Sequence, residues 1–183
     1  MSNLNRFNVS SMFNIPYLHL EIDCWDVKKE KINQIMKSHE IEKFGEVLTS
    51  YYKVINKQIT SDVNLISQIF KDELNHMKQC FNFNSYLVKE FWFQEQNKDM
   101  FHGVHDHGSG ISAICYIEYD SETHTATEFI SPFLDPFKFT HSNFVPFVKS
   151  GDMIFFPSNL LHFTSPNKSK KSRRIMSMNI EVK

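Results

Sequence analysis

Glycine and proline are unevenly distributed along this chain of 183 residues, and that distribution limits the fold more than any other feature. Only Pro16 and Gly45 precede residue 100, whereas four glycines and five prolines follow it. These residues mark turns and interrupt regular elements. The first half is therefore predicted to be mainly helical, and the second half to consist of short strands separated by turns.

Three stretches of the first half have apolar residues at spacings of three and four, which predicts three amphipathic helices. Asp26 can cap the first helix, which continues to Met36. The second helix is predicted over residues 44–55, and the third begins near Ser61–Asp62 and continues to residue 81. One strand, at residues 15–22, is predicted before them.

After residue 84 the hydrophobic period changes to two, which is typical of strands. Seven strands are predicted: Tyr86–Glu95, Ile111–Tyr119, Thr125–Ile130, Phe144–Val148, Met153–Phe156, Leu160–Thr164 and Arg173–Val182. Strict alternation in the first of these places Tyr86, Val88, Trp92 and Gln94 on one face. Several short strands joined by turns indicate a β-sandwich or barrel.

The prediction is one α+β domain, residues 1–183, with a helical support region at 26–82 and an all-β core at 85–183. The chain has 20 basic and 21 acidic residues, so the net charge of −1 gives no support for nucleic acid or a membrane surface as a partner. No apolar run is long enough to span a membrane. The first 14 residues lack a basic stretch followed by an apolar one, so no secretory signal is expected.

Three cysteines, Cys24, Cys80 and Cys115, are too few and too scattered for a disulfide framework. We therefore expect a reducing, cytoplasmic setting. The sequence does not predict the oligomeric state.

The histidines form the most informative cluster. His105 and His107 are two residues apart, and on an extended strand they would point to the same side with Cα atoms about 6–7 Å apart. His162 lies in a distant, apolar, strand-like segment. Three imidazoles brought together in this way could bind iron, zinc, copper or nickel. The alternative is a chance cluster in a loop, with His162 satisfying a hydrogen bond in the core. His102 is expected either beside the site or in solvent, and not on the metal.

Two segments resemble the iron(II)- and 2-oxoglutarate-dependent oxygenases. The stretch from Trp92 through His105-Asp106-His107 to Ile117 is similar to the first metal-binding hairpin of that family. The second segment is similar to the family's ending, "G-D-hydrophobic-F-P-S … H … P-N … R … N". Its matching residues are Gly151-Asp152-Met153-Ile154-Phe155-Phe156-Pro157-Ser158, His162, Pro166, Asn167, Arg173 and Asn179. The resemblance covers roughly residues 90–183.

The resemblance implies a double-stranded β-helix, or jelly roll, backed by the N-terminal helices. It also implies Fe(II), 2-oxoglutarate as co-substrate and O2, in a non-haem iron oxygenase that couples oxidative decarboxylation of 2-oxoglutarate to hydroxylation of an unidentified substrate. The implied roles are metal binding by His105, His107 and His162, co-substrate binding by Arg173 or Arg174 and by Tyr116, and lining of the pocket by Trp92, Gln94, His102 and Asn179.

Two positions depart from the usual pattern of the superfamily. His107 stands where most members have a carboxylate, and Asp106 is the neighbouring alternative ligand. Strand parity favours His107. Ile175 stands where many relatives have a serine, which removes one hydroxyl contact to the co-substrate.

Two other functional classes remain open at this stage. A cupin-like metalloenzyme could use three histidines without 2-oxoglutarate, but it would give no role to Arg173. A non-enzymatic β-sandwich, with a binding or structural role, would share the fold, because fold alone does not decide function. The substrate, a small molecule or a peptidyl group, has no signature in the sequence.

Overall fold

A computed structural model describes residues 14–58 and 62–183 of the chain. Within these ranges there are eleven strands and four helices. In chain order the elements are β1 (Leu18–Glu21), α1 (Trp25–Ser38), β2 (Glu42–Phe44), β3 (Val47–Thr49), α2 (Tyr51–Ile55), α3 (Val63–Ile69), α4 (Lys71–Cys80), β4 (Tyr86–Gln96), β5 (His102–His105), β6 (Ile111–Glu118), β7 (Glu128–Leu134), β8 (His141–Phe144), β9 (Asp152–Pro157), β10 (His162–Thr164) and β11 (Arg173–Val182).

The strands form two antiparallel sheets. The larger sheet has the order β1-β9-β6-β11-β4-β3-β2, and the smaller has the order β5-β10-β7-β8. Strands distant in sequence are therefore neighbours in space, as in a jelly roll. The predicted double-stranded β-helix backed by helices is confirmed.

Alternating residues of the larger sheet face two different cores. Phe93, Cys115 and Met176 pack against the helices through apolar residues such as Ile66 and Leu74. The opposite face lines the space between the two sheets, where a second set of residues is buried: Ile114, Tyr116, Ala126, Phe129, Val148, Ile154, Phe156 and Ile175. Polar side chains that face this inner space are therefore surrounded by packed apolar residues.

The predicted helix at 44–55 is wrong over most of its length. Residues 42–49 form the β2–β3 hairpin, and only Tyr51–Ile55 is helical. Gly45 turns the hairpin with a φ of +55°, in the left-handed region that glycine adopts at little cost. Leu48 and Thr49 pair with β4, so the edge of the larger sheet stabilises strands where the apolar spacing also fits a helix.

The third predicted helix is two helices that meet at Phe70, which ends α3 and precedes α4. Asp62 caps α3 by accepting a hydrogen bond from the backbone N–H of Leu65. In the first helix, Cys24 occupies the cap position and Asp26 lies in the first turn, so the predicted cap is wrong. The Asp62 cap agrees with the start predicted near Ser61–Asp62, although Ser61 itself and the expectation for residues 1–13 lie outside the described residues.

The predicted shared face of Tyr86, Val88, Trp92 and Gln94 is also wrong. Val88 pairs with Ile180 while Glu90 pairs with Asn179, so β4 contains one extra residue, Lys89. This bulge reverses the alternation. Val88 consequently packs with the helices, whereas Trp92 and Gln94 line the inner space.

Most predicted strands of the second half are present, and Arg173–Val182 has the predicted bounds. The strand expected at Phe144–Val148 is wrong, because β8 ends at Phe144. No helix of the described ranges is long and apolar enough to cross a membrane.

Candidate functional site

Three histidines meet at the end of the smaller sheet. His105 is the last residue of β5, and it is the direct cross-strand partner of His162, the first residue of β10. His107 follows β5 in a loop, where its backbone N–H donates to the carbonyl of Ser158 at 2.9 Å. The expectation that one strand carries both His105 and His107 is thus wrong, yet the potential ligand atoms of the three rings lie within 4.8 Å of one another.

Backbone carbonyls determine which nitrogen of two of these rings is free. The Nδ1 atom of His105 lies 2.8 Å from the carbonyl oxygen of Gly103, and that of His162 lies 2.8 Å from the carbonyl oxygen of Leu160. A carbonyl oxygen only accepts, so each Nδ1 must carry the hydrogen. Each Nε2 then keeps its lone pair, which is the arrangement that protein metal sites use to orient imidazole ligands.

Burial keeps the cluster uncharged. It lowers the pKa of His162 to about 3 and that of His107 to about 4, and it lowers the pKa of His105 as well. All three imidazoles are therefore neutral near pH 7 and able to bind a metal ion. Aromatic rings hold them in place: Phe156 lies 5.1 Å from the ring of His162, and Trp92 lies 5.2 Å from that of His107.

Asp106 does not take part in this cluster. It is exposed, and its Oδ1 atom accepts a hydrogen bond from the backbone N–H of Gly108. The donor set is therefore three histidines, with His107 in the position where a carboxylate is usual in the superfamily it resembles.

His102 and Gln94 form a layer behind the cluster. The ring of His102 stacks on that of His105 at 4.0 Å, and its Nδ1 atom lies 3.2 Å from Nε2 of Gln94. His102 is thus in contact with a ligand candidate but is not one of the three converging donors, which matches its expected place beside the site.

Arg173 points into the space between the sheets and is only 2 % exposed. Its Nη1 atom donates to Oε1 of Gln96 at 2.9 Å, and its Nη2 atom donates to Oγ1 of Thr127 at 3.2 Å. Its Nε atom has no hydrogen-bond partner, and no carboxylate of the described ranges forms an ion pair with it. A buried cation of this kind is costly unless an anion joins it.

Arg174 points the other way and pairs with Glu95 at 2.6 Å on the outer surface. Strand alternation therefore makes Arg173 the inward member of the pair. Tyr116, the strand partner of Ile175, lies beneath Arg173, with the guanidinium 5.7 Å from the centre of its ring.

Asn179 lies six residues further along β11 and does not line the cluster. The hydroxyl of Ser112 has two acceptors within reach. It can donate to Oδ1 of Asn179 at 3.1 Å or to the hydroxyl of Ser158 at 3.0 Å. Since Ser158 also receives the backbone N–H of His107, Asn179 supports the loop that carries His107.

Three polar residues beside Arg173 were missed by the sequence analysis: Gln96, Thr127 and Thr164. Gln96 donates to Thr164, whose hydroxyl also accepts the backbone N–H of His102 at 3.0 Å. This network joins the arginine to the histidine cluster. Extending the alternation of Trp92 and Gln94 by two residues would have found Gln96.

The donor set fits a transition metal that accepts imidazole, since three neutral imidazoles converge within one cleft and backbone carbonyls orient two of them. An anion bound between the metal and Arg173 would satisfy the free Nε atom. The three imidazoles and the guanidinium of Arg173 are all side chains of this chain.

The chain is similar to one protein family in sequence and to several solved structures in fold. The model of a family described as "Putative 2OG-Fe(II) oxygenase" matches residues 90–179, which include the three histidines and Arg173. No curated protein sequence matches.

Solved structures share the fold at low sequence identity. The epimerase SnoN from nogalamycin biosynthesis superposes with a TM-score of 0.64 at 12 % identity, covering 91 % of this chain and 77 % of its own. HygX from Streptomyces hygroscopicus, solved with nickel, 2-oxoglutarate and hygromycin B, gives 0.63 at 12 %, covering 91 % and 83 %. The viral collagen prolyl hydroxylase of Paramecium Bursaria Chlorella virus-1 gives 0.55 at 16 %, covering 91 % and 96 %.

Proposed function

Because the chain belongs to the superfamily of iron(II)- and 2-oxoglutarate-dependent oxygenases, we propose that His105, His107 and His162 bind its iron and that Arg173 binds the distal carboxylate of 2-oxoglutarate. The reaction of the superfamily is oxidative decarboxylation of 2-oxoglutarate by O2, coupled to hydroxylation of a substrate. Bound iron(II) supplies the redox chemistry, and the protein supplies geometry and a dry pocket.

The observation that carries the proposed ligand roles is the buried Arg173 without a carboxylate partner, in the same inner space as three neutral imidazoles. A guanidinium binds a carboxylate through two parallel hydrogen bonds. The guanidinium now contacts the neutral oxygens of Gln96, Thr127 and Tyr116, and a charged carboxylate can take the place of such neutral acceptors. Thr127 and the hydroxyl of Tyr116 border the same position and can add hydrogen bonds.

The other residues hold these groups in position. Gly103 and Leu160 orient the rings of His105 and His162, and Ser158 fixes the loop that carries His107. Phe129 and Phe156 pack against His162 and exclude water from that side. The ligands are therefore pre-organised before metal binds, which lowers the cost of assembling the site.

The two alternatives account for fewer of these features. A cupin-like enzyme without 2-oxoglutarate would leave the buried charge of Arg173 unused. A non-enzymatic β-sandwich would leave unexplained why three imidazoles converge, two of them with the Nε2 lone pair free. Both alternatives predict that 2-oxoglutarate does not bind.

Anaerobic titration with Fe(II), with and without 2-oxoglutarate, tests the proposal. We expect one iron per chain, and a weak visible charge-transfer band that develops only when both are present. His162→Ala should abolish stoichiometric iron binding, whereas replacement of the exposed His76 on α4 should not. Iron binding without the band would favour the cupin-like alternative, and no stoichiometric iron would favour the non-enzymatic one.

We also propose a cellular location and a class of substrate for this protein. Cys24, Cys80 and Cys115 are all free, which supports the reducing environment of the cytoplasm. The near-zero net charge gives no support for nucleic acid or membrane as a partner, so we propose a small-molecule or peptidyl substrate.

A further inference from the structure

A second cavity opens directly beside His107 and is walled by aromatic side chains. We call it the aromatic mouth, and define it by Phe44, Tyr51, Tyr52 and Trp92. The rings of Phe44 and Tyr52 stack at 3.8 Å, and that of Tyr51 lies 4.8 Å from that of Trp92. The β2–β3 hairpin and α2, which were predicted as one helix, thus supply three of its four aromatic residues.

The volume of the mouth suits one ring. It is about 170 Å³, and a cavity of roughly 150 Å³ is enough to hold benzene in an apolar protein interior. His105 and His107 form its inner wall, so a group bound there lies next to the proposed metal position. Aromatic faces bind rings through offset or edge-to-face contacts.

The charges around the mouth disfavour an anionic ligand. Of the described residues that line it, none is a lysine or an arginine, and Asp106 contributes a carboxylate. Lys43 and Lys53 adjoin Phe44 and Tyr52 in the sequence, and each is already paired with glutamate: Lys43 with Glu46, and Lys53 with Glu40 and Glu42. Apart from a metal ion bound by the histidines, phosphates and carboxylates would therefore find no partner of opposite charge among the side chains here.

Trp92 adds a polar feature. Its side chain is 1 % exposed and lines both the mouth and the cleft between the sheets, yet its indole N–H has no hydrogen-bond partner. A buried donor without a partner is costly. A ligand that carries a hydrogen-bond acceptor would satisfy it.

A larger groove of about 360 Å³ lies at the other open edge of the sandwich, beside β7 and β8. It does not reach the histidines, because Phe129 and Phe156 stand between it and His162. Its size therefore does not make it the better candidate for a substrate position.

We propose that the aromatic mouth is the substrate subsite, and that it binds an uncharged ring bearing a hydrogen-bond acceptor, with the acceptor receiving the indole N–H of Trp92. This inference rests on the proposed function and specifies the class of substrate. The hairpin and α2 then act as the specificity element of the enzyme.

The indole N–H signals of Trp25 and Trp92 in a 15N-labelled protein provide the test. Benzamide, a neutral ring with an acceptor, is titrated in parallel with benzoate and with acetamide, which lacks the ring. Zinc replaces iron to keep the sample diamagnetic. We expect benzamide to move the Trp92 signal downfield saturably, with the Trp25 signal unchanged and with little effect of benzoate or acetamide.

Two variants test whether benzamide binds in the aromatic mouth. Tyr52→Ala should weaken benzamide binding about three- to tenfold, in line with the loss of an aromatic contact. Phe137→Ala, which alters a 91 % exposed ring outside the mouth, should leave it unchanged. An unmoved Trp92 signal, an equal response to benzoate, or unchanged benzamide affinity in Tyr52→Ala would overturn the inference.

A titration of the zinc-loaded protein with 2-oxoglutarate, made alongside the benzamide titration, distinguishes the two proposals. A protein that binds benzamide in the mouth but does not bind 2-oxoglutarate would disprove the proposed function and retain the ring subsite. A protein that binds 2-oxoglutarate but shows no response to benzamide would disprove the subsite alone.

Discussion

Arg173 and Gln96 are cross-strand partners on β11 and β4, and the guanidinium donates a 2.9 Å hydrogen bond to the side-chain carbonyl of Gln96. The neutral amide satisfies one donor of a buried cation without neutralising its charge. An anion bound beside Arg173 would neutralise this buried charge. The side chain of Gln96 occupies part of the position that such an anion would take.

Gln96→Glu should reduce the affinity for 2-oxoglutarate at least tenfold, because the new carboxylate would pair with Arg173 and compete with the co-substrate. The same change should raise the free energy of unfolding, since it neutralises a buried charge. Isothermal titration with the zinc-loaded protein and urea unfolding measure the two effects. Glu95→Gln, which alters the outward pair with Arg174, is the matched control and should leave affinity unchanged.

Arg173→Ala and Arg174→Ala should differ sharply in co-substrate binding. Loss of the buried guanidinium should weaken 2-oxoglutarate by roughly 2–5 kcal/mol, part of which is the cost of an unpaired carboxylate on the ligand. Arg174 is on the outer surface, so its removal should have little effect. Titration of both variants with 2-oxoglutarate, in the presence of a redox-inert metal, measures the two affinities. A loss of affinity in Arg174→Ala alone would show that Arg174, and not Arg173, binds the co-substrate.

Replacing His107 tests the unusual donor set. His107→Asp should still bind iron, because it restores two histidines and one carboxylate, whereas His107→Ala should bind it more weakly. Asp106→Ala should keep the metal, since the carboxylate of Asp106 is exposed and accepts a hydrogen bond from Gly108. If Asp106→Ala loses iron while His107→Ala retains it, Asp106 is the ligand.

Short motifs made most of the site predictable. His105, His107, His162 and Arg173 stand at fixed spacings within two segments, and those spacings do not depend on how the rest of the chain folds. Gln96 could not be placed opposite Arg173, because the pair is 77 residues apart and is created by the register of β4 against β11.

The errors in the fold have related physical causes. A bulge at Lys89 reverses which residues of β4 face the helices and which face the inner space. No pattern in the neighbouring sequence predicts this bulge. Phe44, Val47 and Leu48 fit a helical spacing, but pairing with the edge of the larger sheet decides their structure. Both features depend on tertiary partners, and one of them, the hairpin, carries part of the aromatic mouth.

A buried histidine outside the cluster of three should make the stability of the protein depend on pH. His39 is 4 % exposed and lies between Phe91 and Phe93, at ring distances of 5.0 and 5.2 Å. Burial lowers the pKa of His39 below the ordinary value of 6.5. The unfolded chain thus binds this proton more readily than the folded chain, so His39 makes stability fall as the pH drops below about 6.5.

His39→Phe should remove this contribution, because phenylalanine does not titrate. Between pH 7 and pH 5 the free energy of unfolding of the wild type should fall more steeply than that of the variant, by at most about 1.4 kcal/mol per pH unit for one proton. The other histidines are present in both proteins, so their contributions cancel in the difference. Urea unfolding across this range measures the difference between the two slopes. Equal slopes for the wild type and His39→Phe would show that His39 is protonated as readily in the folded chain as in the unfolded one.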